Sequence, residues 1–160
     1  MSEFQIVQII TAFLGTLGFT VLFNIRGVRL VVTALGGLFS WLLFVVFSFF
    51  LHNEVINYFL VALIISFYAE IMARIFKTPA TPIFTTSLIP LIPGSSLYYT
   101  MASALNNDAG DFPEKAVVTL KLASALALGI IVASSATNIF FKIFNPIITK
   151  NQSKNNFKEH

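Results

Sequence analysis

The sequence predicts an all-α protein, a polytopic transmembrane helix bundle of about five spans. Of the 160 residues, 56% are hydrophobic and 11% are charged, and the mean hydropathy is +0.83. The apolar residues also form uncharged runs of about 20 residues, the length at which a helix crosses the hydrocarbon core of a bilayer. A soluble domain would need a charged exterior, so lipid and neighbouring helices must surround these side chains.

The first three spans follow from long apolar runs. They cover residues 4–23, 30–51 and 55–73, and the third holds one charge, Glu70, about one turn from its end. The first run is interpreted as an uncleaved span, because no basic residue precedes it and its apolar stretch exceeds that of a signal peptide.

The fourth span, residues 83–105, is uncharged and long enough to cross, but it contains Pro90, Pro93 and Gly94 near its middle. The two prolines cannot donate to the carbonyls four residues earlier, those of Thr86 and Ile89, which are predicted to lack partners at membrane depth. The fourth helix is therefore predicted to be broken at Pro90-Pro93-Gly94.

A second half-helix is predicted beyond the break, with Gly94 in the turn and Ser95 as the N-cap. Its free amides and positive dipole end would form an anion site. The alternative is a proline kink stabilised by Ser and Thr hydroxyls. The candidate substrate-binding residues are Pro90, Pro93, Gly94, Ser95, Ser96 and Tyr98.

The fifth span is predicted over residues 116–141, with a helix start at Asp111 and a capping box completed by Glu114. Residues 1–141 thus form one transmembrane domain. Residues 142–160 are rich in Asn and Lys and predict a disordered polar tail.

Basic residues are divided unequally between the two sides that five crossings create. The side with the N-terminus has only Lys115 in its loops, together with five acidic residues. The positive-inside rule predicts a multi-pass cell-membrane protein with its N-terminus outside and its tail cytoplasmic. A re-entrant fourth segment would move the tail and leave five basic residues against four. The eight basic residues of the other side are Arg26, Arg29, Arg74, Lys77, Lys142, Lys150, Lys154 and Lys158.

The residue content argues against an enzyme. The chain has no cysteine and no HExxH, Gly-rich phosphate loop or pair of aspartates within a span, and its histidines are His52 and His160. We therefore expect no catalytic residues, no metal and no cofactor. Basic residues at helix ends indicate a topology signal, so we expect no nucleic-acid partner.

Two charges lie within spans. Glu70 is interpreted either as a proton carrier or substrate-ammonium partner, or as an ion-pair partner of Arg74 four residues on. Lys121 lies on the small-residue face of the fifth helix and is interpreted either as functional or as extended toward the headgroups. Two stripes with four-residue spacing should face other helices: Tyr58, Ala62, Ser66, Glu70 and Arg74, and Lys121, Ala125, Gly129, Ala133 and Thr137. Gly15, Gly18, Gly36 and Gly37 are interpreted as close-packing sites.

The proline segment resembles the threonine/serine exporter family, and specifically its short component, which corresponds to the C-terminal half of the full-length exporters. The resemblance rests on Arg74 followed by Pro79, on the segment Ile89-Pro90-Leu91-Ile92-Pro93-Gly94, on Tyr98, on the five-span layout and on the chain length. It implies a larger membrane subunit as partner and substrates that include threonine, serine and succinate.

The leading hypothesis is one subunit of a two-component secondary exporter for small carboxylate-bearing metabolites, foremost threonine or serine. The absence of an ATPase motif from the sequence points to an ion or proton gradient as the driving force. The alternatives are a non-transporting assembly or scaffold subunit and an exporter of dicarboxylates such as succinate. A homo-oligomer within the complex is compatible with each of them.

Overall fold

A computed structural model describes residues 3–106 and 110–144, which form helices joined by turns. This confirms the all-α class and the broken fourth helix, and the bounds of the first three helices differ from the prediction by at most two residues. The helices are α1 Glu3–Leu22, α2 Val28–Phe50, α3 Glu54–Ile75, α4 Ala80–Leu88, α5 Gly94–Leu105 and α6 Asp111–Phe144, with a 3₁₀ turn at Ile89–Leu91.

Four helices, α1, α2, α3 and α6, are long and apolar enough to cross a membrane. The nine residues of α4 and the twelve of α5 are each too few to cross alone. Together they make up the fourth predicted segment, and the number of crossings stays a prediction.

The last helix is longer than the sequence predicts. It begins at Asp111, where Pro113 fits because the first-turn amides of a helix have no intrahelical acceptor. It continues through Lys142 to Phe144, so the polar tail predicted from residue 142 begins later. The rest of that tail lies outside the described residues.

Helices α3 and α6 run parallel and meet through small residues. A Cβ added to Gly129 would lie 2.7 Å from the Phe59 carbonyl oxygen and 2.9 Å from the Ala62 Cβ. Ala62 and Ala133 are fully buried. We call this contact the α3–α6 seam, and it matches the two predicted stripes over most of their length.

The glycines of α2 also pack closely, but those of α1 do not. A Cβ on Gly36 would lie 3.0 Å from the Ser87 Cβ, and one on Gly37 would overlap the Thr16 side chain. Nothing lies within 4 Å of the corresponding position at Gly15 or Gly18. The prediction of close packing was therefore wrong for Gly15 and Gly18, which lie on an open face of α1.

Hydrogen bonds between helices fix α2 to α3. The Asn57 amide donates to the Phe44 carbonyl at 3.1 Å and to the Ser48 hydroxyl at 2.9 Å. The Tyr68 hydroxyl donates to the Val32 carbonyl at 2.8 Å. These bonds supply partners for polar groups that lipid cannot satisfy.

Helix α5 packs mainly on the first part of α6, and this pair extends beyond the other helices. Since Gly129 lies against Ala62, the residue opposite Glu54 is near position 121. The preceding ten residues of α6 therefore project about 15 Å past the start of α3. We call α5 with residues 111–121 of α6 the α5–α6 hairpin.

Candidate functional site

The proline break is tighter than the sequence predicted. The Ile89 amide donates to the Thr86 carbonyl, and the Ile92 amide donates to the Ile89 carbonyl at 3.1 Å. Both carbonyls predicted to be unpaired thus have partners. Proline removes the amide donor four residues after each carbonyl, and the 3₁₀ turn supplies one three residues after it.

The start of α5 also differs from the prediction. The helix begins at Gly94 with Pro93 at the N-cap, and no side-chain cap is formed among the described residues. Ser95 therefore lies within the first turn and is not the N-cap. The Gly94 amide donates to Ile92 at 2.6 Å and the Leu97 amide to Pro93 at 3.0 Å. The amides of Ser95 and Ser96, between them, are first-turn donors with no intrahelical acceptor.

A cavity of about 380 Å³ lies beside the hairpin. Helix α5 contributes Ser96 and Tyr99, and α6 contributes Asp111, Glu114 and Lys115. The cavity therefore carries charges of both signs beside a first-turn residue of α5. We call it the hairpin cavity.

Lys115 is held in place at this cavity by both helices of the hairpin. Its Nζ lies 2.9 Å from the Asp111 Oδ2 and 3.0 Å from the Ser103 Oγ. One α6 turn further on, the hydroxyls of Thr119 and Thr100 share a hydrogen bond of 2.9 Å. These contacts set the spacing of the two helices and hence the width of the cavity.

The other predicted substrate-binding residues surround the break but do not line this cavity. Pro93 is buried and Pro90 is half-buried, whereas Gly94 and Ser95 are exposed. Tyr98 is 69% exposed, and its ring packs edge-on against Tyr99 with centroids 5.5 Å apart.

Glu70 and Arg74 lie at the opposite end of the bundle from the hairpin cavity. The Arg74 Nη2 is 3.6 Å from the Glu70 Oε2 and donates to the Asn138 Oδ1 at 3.2 Å. The guanidinium also lies 4.0 Å from the centroid of the Phe141 ring. The ion-pair alternative thus describes the geometry, and Arg74 joins α3 to α6.

Lys121 lies at the edge of the α3–α6 seam and not within it. Its side chain is exposed and lines a second cavity of about 530 Å³ with Val55, Phe59 and Leu128. The stripe residues that follow it, Ala125, Gly129, Ala133 and Thr137, are buried as predicted.

The sequence did not reveal that one cavity is shared by Tyr99, Asp111, Glu114 and Lys115. Asp111 and Glu114 were predicted to cap the fifth helix, and all three charges to lie in a loop on the side of the N-terminus. The available signal was the short connection between α5 and α6, since helices joined by a short loop pack as antiparallel neighbours.

A helical bundle with four membrane-length helices, one broken segment and a charged cavity defines a polytopic membrane protein. The family profile for Threonine/Serine exporter, ThrE, matches residues 8–136. The chain therefore belongs to the threonine/serine exporter family, and it is a transporter of that type. The matched range includes the break and the hairpin cavity. No curated protein and no solved structure gives a significant match.

Proposed function

We propose that this chain is one subunit of a two-component secondary exporter of small carboxylate-bearing metabolites, foremost threonine and serine. We further propose that it binds the substrate in the hairpin cavity. The observation that carries the proposal is the presence of Lys115, Asp111 and Glu114 around one cavity beside the start of α5.

A free amino acid carries a carboxylate and an ammonium on the same carbon atom, so a site for it needs both signs of charge. Lys115 would bind the carboxylate, and Asp111 or Glu114 would bind the ammonium. The side-chain hydroxyl of threonine or serine has the Ser96 hydroxyl as a partner. A dicarboxylate would leave the acidic residues facing a second negative group, which favours an amino acid over succinate.

Exposed apolar side chains on the hairpin support the proposal of a larger partner subunit. Met101 and Leu105 of α5 are 63% and 80% exposed. Lipid can cover these apolar side chains only at membrane depth, and the hairpin projects about 15 Å past the start of α3. A second subunit would cover this part and close the cavity from its open side.

The experiment compares threonine export from dipeptide-fed cells that express this chain alone, the larger subunit alone, or both. Export above background is expected only with both. Full export by this chain alone would contradict the two-component arrangement, and export by the larger subunit alone would favour the assembly role.

The site is tested by Lys115→Gln beside Lys121→Gln, each of which removes one cation from α6. Lys115→Gln is expected to lower export at least tenfold at unchanged membrane abundance, because the substrate carboxylate loses a charged partner. Lys121→Gln is expected to keep most of the export. The reverse result would assign the substrate to the apolar cavity beside Lys121.

A further inference from the structure

A third cavity, of about 330 Å³, lies at the end of the bundle opposite the hairpin. It is formed where the turn between α1 and α2 meets the start of α4, with Arg26 and Arg29 on one side and Thr78 and Pro82 on the other. No proposed role of the hairpin cavity involves these residues. We call it the arginine cavity.

The backbone of the α1–α2 turn directs both arginines to this end. Asn24 adopts a left-handed conformation with φ of 57°, and Gly27 follows with φ of 68°. The Ile25 amide donates to the Thr20 carbonyl at 3.1 Å, which closes the end of α1. Gly27 is a position where a side chain would be strained, so the turn depends on glycine there.

The positive charge of the cavity is not neutralised by its lining. None of its eight lining residues is acidic. The Arg26 Nε donates to the Asn24 Oδ1 at 2.8 Å, which orients the guanidinium and leaves its two terminal nitrogens available. Glu70, the acidic residue near this end of α3, is instead engaged by Arg74. Within residues 3–106 and 110–144, the Arg29 guanidinium donates no hydrogen bond to a protein acceptor.

The start of α4 adds to the same field. Pro82 and Ile83, in the first turn of α4, line the cavity, and this helix begins without a side-chain cap among the described residues. The uncapped amides carry partial positive charge, which favours an anion near them. Two guanidinium groups provide forked donors that match the oxygens of a phosphate.

The rim of the cavity identifies the source of that phosphate. Leu22, Phe23 and Val28 surround the turn and are 77%, 51% and 67% exposed. Leu22 and Val28 lie at the ends of two membrane-length helices and Phe23 follows the first. The cavity therefore lies at the level of lipid headgroups beside exposed apolar side chains. A soluble anion would use the arginines but not this apolar rim.

We propose that the arginine cavity binds the phosphate of an anionic phospholipid from the adjoining leaflet. The bound lipid contacts both the α1–α2 turn and the start of α4. It therefore fixes α4, the part of the broken segment that precedes the 3₁₀ turn, to the α1–α2 turn. This binding is independent of the transported substrate and of the side of the membrane on which the cavity lies.

The test uses the full chain in phosphatidylcholine nanodiscs with increasing phosphatidylglycerol, and native mass spectrometry counts the retained phosphatidylglycerol. The double variant Arg26→Gln/Arg29→Gln is expected to retain it about thirtyfold more weakly, since each basic residue near the surface contributes about fivefold. Lys142→Gln removes a cation from the same end outside the cavity and is expected to retain it like the parent.

Two further measurements test the same proposal. If the double variant inserts poorly, Arg29→Gln alone leaves Arg26 as a topology signal and is expected to weaken retention about fivefold. Equal retention by parent and arginine variants would overturn the proposal. Inorganic phosphate added to phosphatidylcholine nanodiscs is expected to raise the unfolding temperature of the parent by far less than phosphatidylglycerol does. Equal protection by inorganic phosphate would show that the cavity is a soluble-anion site and would overturn the lipid assignment.

Discussion

The α3–α6 seam and the α5–α6 hairpin use the same long helix in opposite ways. At the seam, α6 presents Gly129 and Ala133, and the α3 backbone approaches so closely that even a methyl group would not fit. At the hairpin, α6 presents Lys115 and Thr119, which bind α5 through polar side chains beside an open cavity. Dry packing of small residues makes the seam rigid. Polar contacts at the hairpin leave charged groups accessible, and this accessibility is what a binding site needs.

The largest effect is expected from breaking the seam. Gly129→Ala should destabilise the protein by about 1 to 3 kcal/mol, because its Cβ would lie 2.7 Å from the backbone oxygen of Phe59, which cannot move as a side chain can. Thermal unfolding in detergent measures the loss. Gly15→Ala is the matched control, since nothing lies within 4 Å of its Cβ. Equal stability of the two variants would mean that the seam tolerates separation.

The second expected effect distinguishes Pro93 from Gly94 at the break. Pro93→Ala restores an amide that can donate to the Ile89 carbonyl, so the helix can continue and the start of α5 shifts. Threonine export with the partner subunit should fall about tenfold or more, equivalent to about 1.4 kcal/mol. Gly94→Ala should export normally, since its Cβ meets nothing within 4 Å and its φ is not positive. Normal export by Pro93→Ala would reduce the break to a packing kink.

A smaller effect is expected within the hairpin. Thr100→Val removes the hydroxyl that lies 2.9 Å from the Thr119 hydroxyl. The loss should be about 0.5 to 1.5 kcal/mol, the net value of one such hydrogen bond. Hydrogen exchange should become faster in α5 and stay unchanged at the seam. A double-mutant cycle with Thr119→Val measures the coupling, and a coupling energy of zero would show that the two hydroxyls do not interact.

The smallest effect is expected from the ion pair at the far end of α3. Glu70→Gln should change stability by less than about 1 kcal/mol, because the pair is 3.6 Å long and Arg74 is partly exposed. Arg74 also keeps its contacts with Asn138 and Phe141. A loss of export at unchanged stability would assign Glu70 a role in coupling.

Helical periodicity made the seam predictable from sequence. Ala62 and Ser66 on α3 recur every four residues, as do Ala125, Gly129 and Ala133 on α6, and this spacing places them on one face whatever surrounds them. The presence of a glycine could not distinguish Gly37 from Gly15, because the difference is whether a neighbouring helix packs against that glycine.

Neither the geometry of the break nor the hairpin cavity follows from the periodicity of the sequence. Two prolines predicted a break, but only the 3₁₀ turn determines that the carbonyls of Thr86 and Ile89 find partners. Lys115 could be assigned to a loop from sequence, whereas its position beside Ser103 requires the pairing of α5 with α6. Tertiary contacts of this kind leave no periodic pattern in the chain.

The seam also sets an order of events during synthesis. Ala62 and Gly129, which lie against each other in the finished bundle, are separated by 67 residues of chain. At a translation rate of 5 to 20 residues per second, α3 waits roughly 3 to 13 seconds in the membrane before its partner emerges. During that time its buried face, with the Ser66 hydroxyl, must be covered by lipid, by the translocation machinery or by α2. Biogenesis of this protein therefore contains a stage at which α3 is inserted but not yet paired with α6.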